Sequence, residues 1–284
     1  MKERTCQFGQ GLGLAGIVNE PDGAPVRGAL VLVTAGLVPK FGPFRLYTEL
    51  ARRLASEGFV TLRFDLGGVG DSPHAQSGLP LKERTAEDVS AAVDWLAAHH
   101  DLPELVLGGL CSGAEDAFRA AENDPRVTGV VMIDPFAYRT RGFLPRQLMH
   151  RVVRRTRRAL GLYHPIAPPR VAAADGTSER VVNYEYMRHA ESSRILRVLV
   201  ERRAHVHFVY TGGASEVFNH PGQLREMFRD VPFDGRVTVD HFPELEHTQM
   251  LAGDRMTLIR AIASRLDGQI TPAGAPARQY ARSQ

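Results

Sequence analysis

Sulfur and tryptophan are scarce in this chain of 284 residues. It has two cysteines, Cys6 and Cys111, and a single tryptophan. Two thiols are too few for a disulfide framework or a cysteine metal cluster. No apolar run reaches 18 residues, so no transmembrane helix is expected. The N-terminal stretch Met1–Phe8 is polar and charged and lacks an apolar signal core, which favours a cytoplasmic location. The formal charge is only +3, and its excess is local rather than spread over the chain. No nucleic-acid recognition motif is present, so nucleic acid is not an expected partner. No internal repeat interrupts the chain, and no cofactor is expected for the chemistry below.

What is present is alternation. Residues 5–20 read as two short strands around a glycine-rich turn, an edge hairpin. Gly28–Thr34 is a continuous apolar run, as a strand buried on both faces should be. Phe44–Glu57 repeats leucine with helical spacing, and Phe59–Phe64 is the next strand. Thr85–His100 is an amphipathic helix with Glu87 and Asp88 in its first turn, where the helix dipole favours them. Strands follow at Val127–Ile133, His205–Thr211 and Arg236–Phe242, with helices at Gln223–Arg229 and Asp254–Leu266. Strands alternating with helices imply right-handed crossovers and a mainly parallel sheet covered on both faces. Such α/β folds gather ligands at the carboxyl ends of their strands.

One stretch organises the rest. Glu104–Leu110 is an apolar run ending in glycines, and Glu115–Glu122 is helix-forming. Between them Gly109, Cys111 and Gly113 occupy the fixed places of a nucleophile elbow, G-x-Nuc-x-G. The turn is so tight that a Cβ at either flank would strike neighbouring backbone, while the middle side chain is thrust clear. A cysteine there needs a base, an orienting acid and oxyanion donors. The base should follow the last strand, and Phe242–Gln249 supplies His247, with His241 inside the strand a weaker candidate. Glu216, a few residues past the strand ending at Thr211, is the expected acid. Asp134, directly after Ile133, is its competitor, and Asp240 a poorer third. The oxyanion donors are expected to be the backbone N–H groups of Leu37, beside Gly36, and Ser112, at the positive end of its helix. The order Cys111, Glu216, His247 fits this geometry.

Two further runs carry a resemblance. Gly42–Asp65 and Gly67–Ser72, which follows the pattern F-D-x-x-G-x-G-x-S, resemble the serine-aminopeptidase-like branch of the α/β-hydrolases, over roughly residues 28–266. Gly109–Ala114 is similar to bacterial members with a cysteine nucleophile, including hydrolases associated with exosortase systems and, more distantly, dienelactone hydrolases. The resemblance implies an α/β-hydrolase fold with an inserted helical cap. It makes Asp65 and Asp71 loop-stabilising residues. The chain departs from the usual pattern in its nucleophile, Cys111 for serine, and in its expected acid, Glu216 for aspartate. The expected organisation is a core of residues 1–136 and 201–266, a basic cap of 137–200 and a disordered tail of 267–284.

A helix N-terminus and a neighbouring imidazole favour a thiolate. A thioester intermediate reacts with amines and thiols more readily, relative to water, than an oxygen ester does. The expected function is therefore hydrolysis of an activated acyl ester, lactone or thioester. The alternatives are acyl transfer or acyl elimination in a biosynthetic pathway, or a non-catalytic binding protein of the same fold. In the cap, Arg139, Arg141, Arg146, Arg151, Arg154, Arg155, Arg157 and Arg158 cluster without an acidic residue among them. Leu144, Leu148, Val152 and Val153 form an apolar stripe, so one helix face should pack and the other stay basic. The readings of this charge are a solvated face, an anionic or carrier-bound substrate with Arg146 in contact, or anionic lipid headgroups. Tyr184, Tyr186 and Met187 are expected to line the acyl pocket.

Overall fold

The computed structural model describes residues 1–23, 25–73, 78–160 and 186–270. Strands β1 (Lys2–Phe8) and β2 (Leu14–Glu20) form the expected antiparallel hairpin at one edge of an eight-stranded sheet. The remaining strands are β3 (Gly28–Val33), β4 (Phe59–Phe64), β5 (Leu105–Leu110), β6 (Gly129–Ile133), β7 (His205–Thr211) and β8 (Val237–Phe242). The sheet order is β1-β2-β4-β3-β5-β6-β7-β8, and every pairing from β4 to β8 is parallel. The apolar runs Gly28–Val33, Leu105–Leu110 and Gly129–Ile133 are buried along their whole length, because helices cover both faces.

Two packed clusters form the two sides of the sheet. On one side, α1 (Leu46–Ser56) and α7 (Ala252–Ile270) bury Leu46, Leu50, Leu54, Leu258 and Ile262 against Leu30 and Leu32. On the other, α2 (Leu81–His99) and α3 (Ser112–Asn123) bury Val89, Val93, Leu96 and Phe118 against Val31 and Leu107. The cap-region helices are α4 (Phe143–Ala159) and α5 (His189–Glu201), and α6 (Gly222–Met227) is a short helix after β7. Residues 189–200 were expected in the cap, but α5 buries Ile195, Leu196 and Leu199 in the main core. The last helix runs to Ile270, four residues into the expected tail. The rest of that tail, residues 271–284, and cap residues 161–185 lie outside the described residues.

The expected packing of α4 is not what the structure has. Leu144, Leu148, Val152 and Val153 are 66%, 63%, 54% and 44% exposed. The helix is tied down near its start instead, by the fully buried Phe143 ring and by Arg146.

Candidate active site

The candidate site stands at the carboxyl edge of the sheet, where β5 turns into α3. Cys111 holds φ 54° and ψ −122°, a strained conformation for a residue with a Cβ. The flanking glycines make the turn possible. A Cβ on Gly109 would lie 2.5 Å from the carbonyl carbon of Gly113, and one on Gly113 would lie 2.4 Å from the Val33 carbonyl oxygen. The elbow is therefore packed directly against the end of β3. The Cys111 N–H donates to the Ile133 carbonyl at 2.8 Å, which ties it to β6 as well.

A buried tyrosine supports the elbow from below. Tyr47 on α1 donates from its hydroxyl to the Val33 carbonyl at 3.0 Å and accepts from the Leu110 N–H at 2.8 Å. It thus bridges the ends of β3 and β5, and burial raises its pKa. Sequence reasoning missed it, since Tyr47 reads there as one more apolar position on α1.

His247 stands above the elbow, on the loop after β8. Its Nδ1 lies 2.7 Å from Asp134 Oδ2, and Cys111 is the other side chain that acts on the ring. The Asp134 hydrogen bond, then the Cys111 hydrogen bond, raise the imidazole pKa from its ordinary 6.5 to about 10, against the opposing effect of burial. A carboxylate held against the ring favours the protonated imidazole.

The acid beside His247 is thus Asp134 and not Glu216. Asp134 is fixed at the tip of β6 with φ 45°, and its own N–H donates to the Val209 carbonyl at 2.8 Å. Thr211, the last residue of β7, donates to it twice, from its backbone N–H at 2.6 Å and its hydroxyl at 2.5 Å. Glu216 is exposed on the following loop, where its backbone carbonyl accepts from Arg139 Nε at 3.0 Å. The end of β7 serves this site by holding a carboxylate that comes from β6. Asp240 is also excluded, because it is engaged with His207 and Arg265.

The Gly212–Gly213 pair lets the histidine loop come close. Gly212 N–H donates to the Leu245 carbonyl at 2.7 Å, and a Cβ on Gly213 would lie 2.5 Å from His247 Cβ.

The two expected oxyanion donors lie on segments joined by a hydrogen bond from Gly36 N–H to the Ser112 hydroxyl. Ser112 opens α3, and Leu37 lies in the loop after β3. No acceptor among the described residues takes the backbone N–H of either. The hydrogen bond from Gly36 to Ser112, at 2.9 Å, is a link the sequence did not suggest. Behind this loop Lys40 binds Asp65 and Asp71 at 2.6 and 2.5 Å, so both aspartates stabilise loops. Asp65 also accepts from the Lys40 and Asp71 N–H groups at 2.6 and 2.9 Å.

The expected substrate contacts fare differently. Arg146 donates to Glu226 at 2.7 Å and to Asn219 at 3.1 Å, so its guanidinium holds α4 to the domain and is not presented to a substrate. Met187 is 2% exposed and belongs to the main core, not to an open pocket. Its N–H donates to the buried Glu115 of α3 at 3.0 Å, and its carbonyl accepts from the Tyr138 hydroxyl at 2.8 Å. Tyr186 is 78% exposed. Tyr184 lies outside the described residues.

Residues 27–251 match the model of the serine aminopeptidase, S33 family. The chain belongs to this family. Its members are named for a serine, and here Cys111 holds the elbow apex. Two relatives match short segments: Escherichia coli YcjY, 32% identical over 82 residues, and Pseudomonas aeruginosa PA2218, 33% identical over 97 residues. These segments cover 28% and 32% of this chain and only 27% and 26% of the relatives. Among solved structures, PA2218 superposes with a TM-score of 0.59 at 18% identity, covering 94% of this chain and 93% of that one. An esterase from Pyrococcus furiosus gives 0.60 at 11% identity, covering 94% and 91%. At such identities the likeness is one of fold. The fold is that of the α/β-hydrolases.

Proposed function

We propose that this protein hydrolyses activated acyl esters, lactones or thioesters through an acyl-cysteine intermediate on Cys111. The observation that carries the proposal is the strained elbow with Cys111 at its apex, together with a His247 that Asp134 holds at 2.7 Å and whose pKa Cys111 helps raise. Membership of a hydrolase family and a fold shared with an esterase support a hydrolytic outcome.

The proposed reaction runs through the thiolate, the nucleophilic form of cysteine. The Cys111 thiolate attacks the acyl carbonyl carbon, forming the C–S bond. The carbonyl electron pair moves to oxygen, which the N–H groups of Leu37 and Ser112 stabilise. The intermediate collapses, breaking the bond to the leaving group, and the His247 imidazolium gives that group its proton. Acylation also removes the thiolate that helps raise the His247 pKa. The imidazole left behind is a better base, held in one tautomer by Asp134. It takes a proton from water, the hydroxide attacks the thioester, and the acid product leaves with the thiolate restored. Activated acyl groups suit this site, since a thiolate expels a poor amine leaving group with difficulty.

The test is intact-protein mass spectrometry after exposure to p-nitrophenyl acetate or short acyl thioesters, with chain length varied. An acyl adduct on Cys111 and loss of turnover in Cys111→Ala are expected. Undiminished turnover in Cys111→Ala, with no adduct, would overturn the covalent mechanism. Diversion of the acyl group to added amine, alcohol or thiol acceptors in preference to water would reassign the enzyme to acyl transfer.

A further inference from the structure

Helix α4 stands apart from the packing rules the rest of the chain obeys. Every described side chain from Leu148 to Leu160 is exposed. Leu144, Leu148 and Val152 follow one another at intervals of four residues, and Met149, Val153 and Leu160 make a second row beside them. These six apolar side chains are between 44% and 66% exposed. Arg151, Arg155 and Arg158 are exposed alongside the first row and form no ion pair among the described residues. No acidic residue occurs anywhere from 135 to 174. A soluble helix normally buries its apolar stripe, and among the described residues this one is held at its start, by Phe143 and the Arg146–Glu226 pair.

We infer that α4 docks the protein onto an anionic lipid surface. Its apolar rows enter the headgroup region, and its arginines lie among the lipid phosphates. The two features are needed together. An acidic protein partner without an apolar groove would satisfy the arginines and leave two rows of leucine, valine and methionine in water. A neutral apolar partner would cover those rows and strand the unpaired charge. A bilayer rich in anionic headgroups satisfies both, because long arginine side chains reach from an apolar surface to the phosphates. No described helix is long and apolar enough to cross a membrane, so the contact is peripheral. Leu37, Phe41 and Leu251, on loops after β3 and β8, are also about half exposed, at 46%, 48% and 53%. They stand at the carboxyl edge of the sheet, where the candidate site lies, so docking brings that edge towards the lipid.

The full chain is tested by co-sedimentation with vesicles of phosphatidylglycerol and phosphatidylcholine in about equal parts, and with phosphatidylcholine alone. Binding to the anionic vesicles, weakened by salt, is expected. The variant Arg151→Gln, Arg155→Gln, Arg158→Gln should weaken it by on the order of tenfold or more. The variant Leu148→Gln, Val152→Gln should weaken it clearly as well. Both alter exposed side chains, so their circular dichroism and their turnover of a soluble ester should match the wild type. Cys111→Ala should bind vesicles normally, which separates this inference from the proposed chemistry. Absence of binding at low salt, equal binding to both vesicle types, or binding untouched by either variant would overturn it. So would concentration-dependent self-association without vesicle binding, or coverage of α4 by residues 161–185 of the same chain.

Discussion

Thr211 grips the Asp134 carboxylate at both oxygens, through its backbone N–H at 2.6 Å and its hydroxyl at 2.5 Å. The two residues end adjacent parallel strands, β7 and β6. With His247 added, the carboxylate accepts three hydrogen bonds while almost fully buried. That leaves it one orientation, facing the imidazole.

Replacement of Asp134 by Asn should lower kcat/KM by on the order of 10²–10⁴, since an amide cannot favour the imidazolium and can hold the wrong tautomer. Glu216→Gln should stay near wild type, because that side chain is exposed and the His247 Nδ1 is bonded to Asp134 instead. Steady-state kinetics of the two variants decides between them. The reverse ranking would return the acid role to Glu216.

Protonation of His247 links the site to stability. Its folded pKa, about 10, lies above its ordinary 6.5, so the folded state binds the proton more tightly. The resulting stabilisation is complete below about pH 6.5 and fades as pH rises towards 10. Thermal melts of wild type and His247→Gln should therefore differ most at pH 6 and converge by pH 10.5. Imidazole titration by NMR should give a lower pKa in Cys111→Ala and a still lower one in Asp134→Asn, the order in which their bonds act. A constant difference in melting temperature across this range would refute the pairing.

Ser112→Ala removes the hydroxyl that accepts from Gly36 N–H, next to Leu37. Loss of a whole oxyanion donor costs on the order of 10²–10³ in rate, and loosening one should cost about tenfold. The loss should fall on kcat with KM little changed, and Ser112→Thr should recover part of it. An equal rise in KM would assign the hydroxyl to substrate binding.

Gly213→Ala places a Cβ 2.5 Å from His247 Cβ, well inside van der Waals contact. Overpacking of this kind costs about 1–3 kcal/mol, and here the residue that must move is the candidate base. Turnover should fall more steeply than denaturant stability. Full activity would mean that the His247 loop yields freely.

Much of the site was legible because its constraints are local. The elbow needs glycine at 109 and 113 whatever surrounds it, and the clashes with Gly113 and Val33 bear this out. The aspartates at 65 and 71 behave as the F-D-x-x-G-x-G-x-S pattern implied, both bound by Lys40. The choice of acid was not legible. Asp134 and Glu216 both follow strand ends, and spacing cannot say which carboxylate turns inward. Nor could periodicity say that Tyr47 would spend its hydroxyl on Val33 and Leu110, or that the stripe on α4 would stay uncovered.

The sequence by itself determined the alternation of strands and helices, the strained apex at Cys111 and the position of His247 after the last strand. These follow from apolar period and from glycines whose missing Cβ is the whole requirement. Only the tertiary structure decided the partner of His247, because β6 and β7 lie side by side and their ends compete for one space. Thr211 fills it with donors, the Gly212–Gly213 turn carries Glu216 outward, and Asp134 is the carboxylate that remains.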